Sequence, residues 1–211
     1  MQKTQLKNYI EYLKSQPKGF TYESAEEKLL EIKKSCTNCS HCPLANQGRS
    51  KVVFGIGNPS AELMFVGEGP GRDEDKQGIP FVGRAGQLLT KMIEAMGLSR
   101  DDVYISNVVK CRPPSNRVPL PDEMDACTQH ILWKEIALIQ PKIICALGST
   151  AAKAMLGQDI KISKIRGIFQ KADCIDIMPT YHPAYLLRNP EAKVSVWEDL
   201  KKIMSKIQPQ G

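Results

Sequence analysis

From residue 52 onward, short apolar runs alternate with longer segments of helical spacing. Val52–Gly55, Glu62–Val66, Val103–Val108, Lys142–Leu147 and Cys174–Met178 have strand length. Arg84–Met96, Pro121–Ile139, Thr150–Leu156 and Lys193–Ile207 read as helices, with Gly97 and Gly157 as C-terminal caps and Ser149 as an N-cap. This alternation predicts a largely parallel sheet covered by helices on both faces. Ligands bind such sheets beyond the carboxyl ends of the strands. The segments to inspect are therefore 67–71, 107–116, 148–149 and 180–188, and all but the third contain unusual chemistry.

Residues 1–35 are expected to form a helical N-terminal extension to a single domain over 36–211. Leu6, Tyr9, Ile10 and Leu13 mark a first helix, Pro17-Lys18-Gly19 breaks it, and a second should run from Glu23 to Lys34. A net charge of +6 permits a polyanionic partner without demanding one. The polar start carries no apolar leader, and no run of about 18 apolar residues exists, so a cytoplasmic protein without membrane contact is expected.

In that reducing setting seven cysteines read as metal ligands or thiols rather than disulfides. Cys36, Cys39 and Cys42 fall within seven loop residues, and Cys111 and Cys127 follow far downstream. One local pair and two single cysteines would supply four thiolates, which suit zinc or a 4Fe–4S cluster. The looser Cys111–Cys127 spacing leans toward the cluster, and spacing leaves open whether Cys36 or Cys42 pairs with Cys39. Cys145 and Cys174 read as buried structural thiols.

Four further segments stand out. Gly67-Glu68-Gly69-Pro70-Gly71 ends a strand in a glycine loop that lets backbone approach a ligand. It lacks dinucleotide spacing and a Walker lysine, so a nucleotide cofactor is a poor match. Phe81, between proline and glycine, is either a flat-ligand platform or a core anchor. Asn107 closes a strand with an amide able to donate and accept. His182 follows the last strand, well placed to donate to a ligand. Singly, each of these residues has an ordinary structural reading.

Together they resemble the type-4, iron–sulfur branch of the uracil-DNA glycosylase superfamily, from about Cys39 to Ile207. Gly67–Gly71 matches its first active-site motif, and Gly78-Ile79-Pro80-Phe81-Val82-Gly83 with Gly86 its base-stacking segment. Asn107 through Arg117 matches its asparagine and third-ligand segment, and His182 through Arg188 its late histidine and DNA-inserting motif.

The resemblance implies a three-layer α/β/α sandwich around a central, mainly parallel four-stranded sheet. It implies one structural 4Fe–4S cluster on Cys39, Cys42, Cys111 and Cys127, leaving Cys36 spare. It also implies a monomer that releases free uracil from single- or double-stranded DNA. Gly67, Glu68, Gly69, Phe81, Asn107 and His182 would bind the base, with Glu68 and His182 catalytic. Arg112, Asn116, Arg117, Leu186, Leu187 and Arg188 would contact DNA. A basic insert that marks a covalently capturing branch is missing between Asp75-Lys76-Gln77 and Gly78. The alternatives are a non-catalytic iron–sulfur nucleic-acid-binding protein, a glycosylase of broader deaminated-base range, and a zinc-containing nucleotide-binding enzyme.

Overall fold

The structure, a computed structural model, describes residues 22–157, 161–172 and 175–207. The expected first helix and Cys174 lie outside the described residues.

Six strands form one sheet: β1 (Ile56–Gly57), β2 (Leu63–Gly67), β3 (Tyr104–Asn107), β4 (Ile143–Leu147), β5 (Gln170–Ala172) and β6 (Ile175–Thr180), in the order β1-β3-β2-β4-β6-β5. The four inner strands are parallel, and β1 and β5 add antiparallel edges. The expected four-stranded parallel sheet is thus the centre of a mixed six-stranded one. The two edge strands are too short to carry a periodic signal.

β2 and β4 are buried along their whole length, which is why they read as unbroken apolar runs. Their side chains still alternate between faces. Met64, Val66, Ile144 and Ala146 pack in one core cluster with α1 (Tyr22–Cys36), the Pro121–Ile139 helical run and the Gly148–Leu156 helix. Leu63, Phe65, Ile143, Cys145 and Leu147 pack in another, with Leu89 and Ile93 of Arg84–Ala95 and Leu200 and Ile203 of Ala192–Ile207. Two cores on opposite faces of one sheet make the three layers.

The remaining helices, in chain order, are α2 (Arg72–Gln77), α3 (Arg84–Ala95), α4 (Pro121–Cys127), α5 (Trp133–Ile139), α6 (Gly148–Leu156), α7 (Ile162–Ile165), α8 (Pro183–Leu186) and α9 (Ala192–Ile207). Gly97 (φ 76) and Gly157 (φ 65) cap their helices in the left-handed region.

Three expectations are corrected. Val52–Gly55 is not a strand: Val53 N–H donates to the Lys110 carbonyl at 2.7 Å and Gly55 N–H to the Glu135 carboxylate at 2.9 Å, so its donors go to a loop and a helix. Ser149 lies inside α6, which starts at Gly148. The helix over 121–139 is interrupted by a π-helical turn, Thr128–Leu132, directly after Cys127. Such turns insert a residue into the helical register, often at functional sites. The second expected helix, Glu23–Lys34, is observed as Tyr22–Cys36, with Leu29 in the core.

Candidate active site

A cavity of about 760 Å³ opens beyond the carboxyl ends of the parallel strands. Glu68 and Gly69 reach it from the loop after β2, Asn107 from β3, Gly148 from the turn after β4, and His182 from the turn after β6. Phe81 enters from the loop between α2 and α3.

Phe81 is buried at φ 56, a left-handed conformation that costs a bulky residue about 1–3 kcal/mol and persists only where its surroundings impose it. They do. Glu74 of α2 accepts the N–H groups of Val82 (2.9 Å), Gly83 (2.8 Å) and Gly71 (3.1 Å). Arg100 donates to the carbonyls of Pro80 at 2.9 Å and Phe81 at 3.2 Å. Gly86 leaves room for the bend, since a Cβ there would stand 2.0 Å from the Phe81 carbonyl. The ring and the neighbouring amide both pack over Gly67, where a Cβ would meet Phe81 Cζ at 2.4 Å and Asn107 Oδ1 at 2.5 Å.

Asn107 is 2% exposed, and its Oδ1 is buried without a hydrogen-bond partner in the protein. An orphaned buried acceptor is costly, and one lining a cavity points to a donor on a ligand. His182 contributes the opposite polarity. Its Nδ1 accepts the Ala184 N–H at 3.0 Å, so the ring proton resides on Nε2. Burial, aided by the Arg188 charge, pushes its pKa down to about 4. The imidazole is therefore neutral at physiological pH and presents a single N–H donor. Its ring lies 5.7 Å from that of Phe81, centroid to centroid. Across the cavity, the Thr150 hydroxyl of α6 donates to the Glu68 carboxylate and anchors it.

A profile of the Uracil DNA glycosylase superfamily matches residues 54–201, well over half of the chain. The chain belongs to the uracil DNA glycosylase superfamily. It is 47% identical over 192 residues to the type-4 uracil-DNA glycosylase of Thermotoga maritima, covering 88% of this chain and 98% of that one. It is 48% identical over 186 residues to that of Sulfurisphaera tokodaii, covering 84% of each. A third, from Archaeoglobus fulgidus, is 40% identical over 185 residues, covering 84% of this chain and 92% of that one.

In this superfamily member, Glu68, Gly69, Phe81, Asn107 and His182 line one cavity, and Gly67 packs against Phe81 and Asn107. The expected DNA-contacting residues divide. Arg188 and Asn116 line the cavity, and Asn116 accepts from Arg112 at 2.8 Å. Arg117 is occupied by Glu123, which takes two of its N–H groups at 2.6 and 2.8 Å. Leu186, expected on the DNA-facing surface, is turned inward: it is 1% exposed and packs in the same core cluster as Phe81 and Leu89, whereas Leu187 is 43% exposed. The short α8 turns only one of the two leucines outward. Glu74, Arg100, Thr150 and the cavity residues Val118, Tyr181 and Tyr185 carried no local signal, because their roles arise from tertiary contacts.

A second cluster lies beside β3. Cys39, Cys42, Cys111 and Cys127 sit close enough for their charges to influence one another, and Cys36 is not among the groups acting on them. Burial pushes the thiols of Cys42 and Cys111 up, and that of Cys127 up to about 12. Arg49 donates to Cys111 Sγ at 3.0 Å and to the Cys39 carbonyl at 2.6 Å, and Lys110 N–H donates to Cys127 Sγ at 3.2 Å. Both contacts suit sulfurs that carry negative charge. Cys36 is instead buried at the end of α1, 3.7 Å from the Ser35 hydroxyl. Among the described residues, no three His, Cys, Asp or Glu side chains converge on a single-ion site. No helix among them is long and apolar enough to cross a membrane.

Proposed function

We propose that this chain is a monofunctional uracil-DNA glycosylase that hydrolyses the N-glycosidic bond of uracil in DNA, leaving an abasic site and free uracil. One observation carries the reading. The unsatisfied Oδ1 of Asn107 shares one cavity with the Phe81 ring and the neutral, Nε2-protonated His182.

A base within a duplex must first leave the stack, at a cost of a few kcal/mol that falls for poorly paired bases. Leu187 and Arg188 fill the gap, and Arg112 and Asn116 border the entrance. Inside, Phe81 stacks on the uracil ring. Asn107 Oδ1 accepts from N3–H while its amide donates to O4. Cytosine presents the reverse pattern and would leave buried polar groups unpaired, which is a strong basis for rejection.

As the C1′–N1 bond breaks, its electron pair passes to the base, and the sugar becomes oxocarbenium-like. His182 Nε2–H donates to uracil O2, where negative charge develops, and Gly67–Gly69 backbone amides assist. A donor placed in advance strengthens as charge develops and costs no reorganisation. A neutral imidazole provides this without drawing on a positive charge. Water then attacks C1′, and the anchored Glu68 carboxylate orients it and favours the cationic sugar.

The four neighbouring thiols fit a 4Fe–4S cluster. Four thiolates suit either a zinc ion or a 4Fe–4S cluster, and the type-4 relatives this chain resembles favour the cluster. Cys39, Cys42, Cys111 and Cys127 would hold such a cluster, which would tie the Cys39–Cys42 loop, the Cys111 loop and the end of α4 together in a structural role. The same reading takes residues 36–211 as one catalytic unit, residues 1–35 as an extension, and the protein as an intracellular monomer acting on single- or double-stranded DNA. Release of uracil from an oligonucleotide containing one uracil tests the activity. Iron content with visible absorbance, against zinc, tests the metal.

A further inference from the structure

One buried ionic group is unused by this chemistry. Lys110 and Glu135 are both fully buried and pair at 2.6 Å. The Lys110 ammonium spends all three protons inside the protein, on Glu135 Oε2, on Ser106 Oγ at 2.5 Å and on the Asn107 main-chain carbonyl at 2.8 Å. Glu135 is equally committed, accepting also from Ser106 Oγ at 2.8 Å, Gly55 N–H at 2.9 Å and Tyr104 Oη at 3.4 Å.

The backbone of the same lysine belongs to the cysteine cluster. Its N–H donates to Cys127 Sγ, and its neighbour is Cys111. Lys110 therefore holds one end of β3 from the cluster side. Successive strand side chains point to opposite faces, so Ser106 meets the ion pair while Asn107 directs its amide into the cavity.

A buried ion pair is a poor source of net stability, because desolvation offsets the attraction, and replacement of both partners is often tolerated. Its separate use is to fix a geometry. We propose that Lys110 is a positioning residue for base recognition: it locks the main chain of Asn107 to Glu135 and thereby ties the amide that reads the base to the cysteine-bearing segment. The proposal rests on the uracil reading above. It assigns Lys110 no contact with the base.

The test uses the double variant K110M/E135Q in the full chain. Met retains the apolar stem, and Gln retains an acceptor for Gly55 N–H. Uracil release under single-turnover conditions should fall by about 10²-fold, the order expected when a recognition group shifts by about 1 Å. Iron content, visible absorbance and affinity for uracil-free DNA should stay at wild-type levels. Cleavage within about twofold of wild type, with iron intact, would overturn the proposal, since the loss asked for is far larger. If the double variant fails to fold, Ser106→Ala decides by the same readouts. It removes one partner of each charge without breaking the ion pair, and should lower cleavage with iron retained and the melting temperature reduced but the fold intact. An inactive wild-type enzyme would instead overturn the uracil reading itself.

Discussion

His182 Nδ1 accepts the backbone N–H of Ala184 at 3.0 Å. That contact leaves Nε2 as the protonated nitrogen, and with burial it keeps the ring neutral. Replacing His182 by Ala should slow uracil release by about 10²–10³-fold, the usual cost of losing one donor to a developing charge. Binding to DNA carrying a non-cleavable uracil analogue should change far less. An affinity defect with a normal cleavage rate would remove His182 from the leaving-group role.

The same residue predicts a pH dependence. An unfolded histidine titrates near 6.5, and the folded one near 4. Between these values the unfolded chain binds the extra proton, so this residue's contribution to stability is complete above 6.5 and lost as pH falls toward 4. Single-turnover cleavage should likewise show no His182-dependent fall near pH 6.5. Rate profiles of wild type and His182→Gln, compared from pH 5 to about 8, check this against the ordinary histidine range.

Asn107→Asp replaces the amide with a carboxyl group that cannot donate to O4 when ionised. Uracil release should drop by about 10²-fold or more, because a buried polar mismatch is costly. Unchanged release would contradict the reading role of Asn107. Cytosine-containing DNA, assayed in parallel, reports any change of specificity.

Gly67→Ala places a methyl group between the platform and the reader, at 2.4 Å from Phe81 Cζ and 2.5 Å from Asn107 Oδ1. Overpacking of this kind costs about 1–3 kcal/mol. The fold should survive with a lower melting temperature, while uracil release is abolished. Full activity would mean that the base does not sit where these three residues meet.

Cys127→Ser should lose iron and stability together, as measured by elemental content and thermal melting. Cys36→Ser should keep its iron, because the Cys36 thiol contacts the Ser35 hydroxyl and is not among the groups whose charge acts on the other thiols. Iron loss in the second variant would move Cys36 into the ligand set.

The inner strands and the large helices were readable from the sequence, and the strand ends pointed to Asn107 and His182, while only the family resemblance added Phe81 to them. Continuous apolar runs betray strands buried on both faces, and the strand-end rule places ligand chemistry at their carboxyl termini. What was hidden depends on pairings across long separations. Glu74 reaches Val82 and Gly83, Arg100 reaches Pro80, and Lys110 reaches Glu135. A charged residue in such a role looks like any solvated charge until the chain is folded. Val52–Gly55 misled because its apolar pattern matches a strand, while its donors go to Lys110 and Glu135. Leu186 misled because adjacent leucines carry no mark of which one the turn buries.

The most direct test is incubation of purified wild-type protein with an oligonucleotide carrying one uracil, followed by detection of free base and alkali-labile strand breaks. The account predicts free uracil and breakage at the uracil position alone, both slowed by about 10²–10³-fold in His182→Ala. An intact strand, or equal release by the variant, would contradict it.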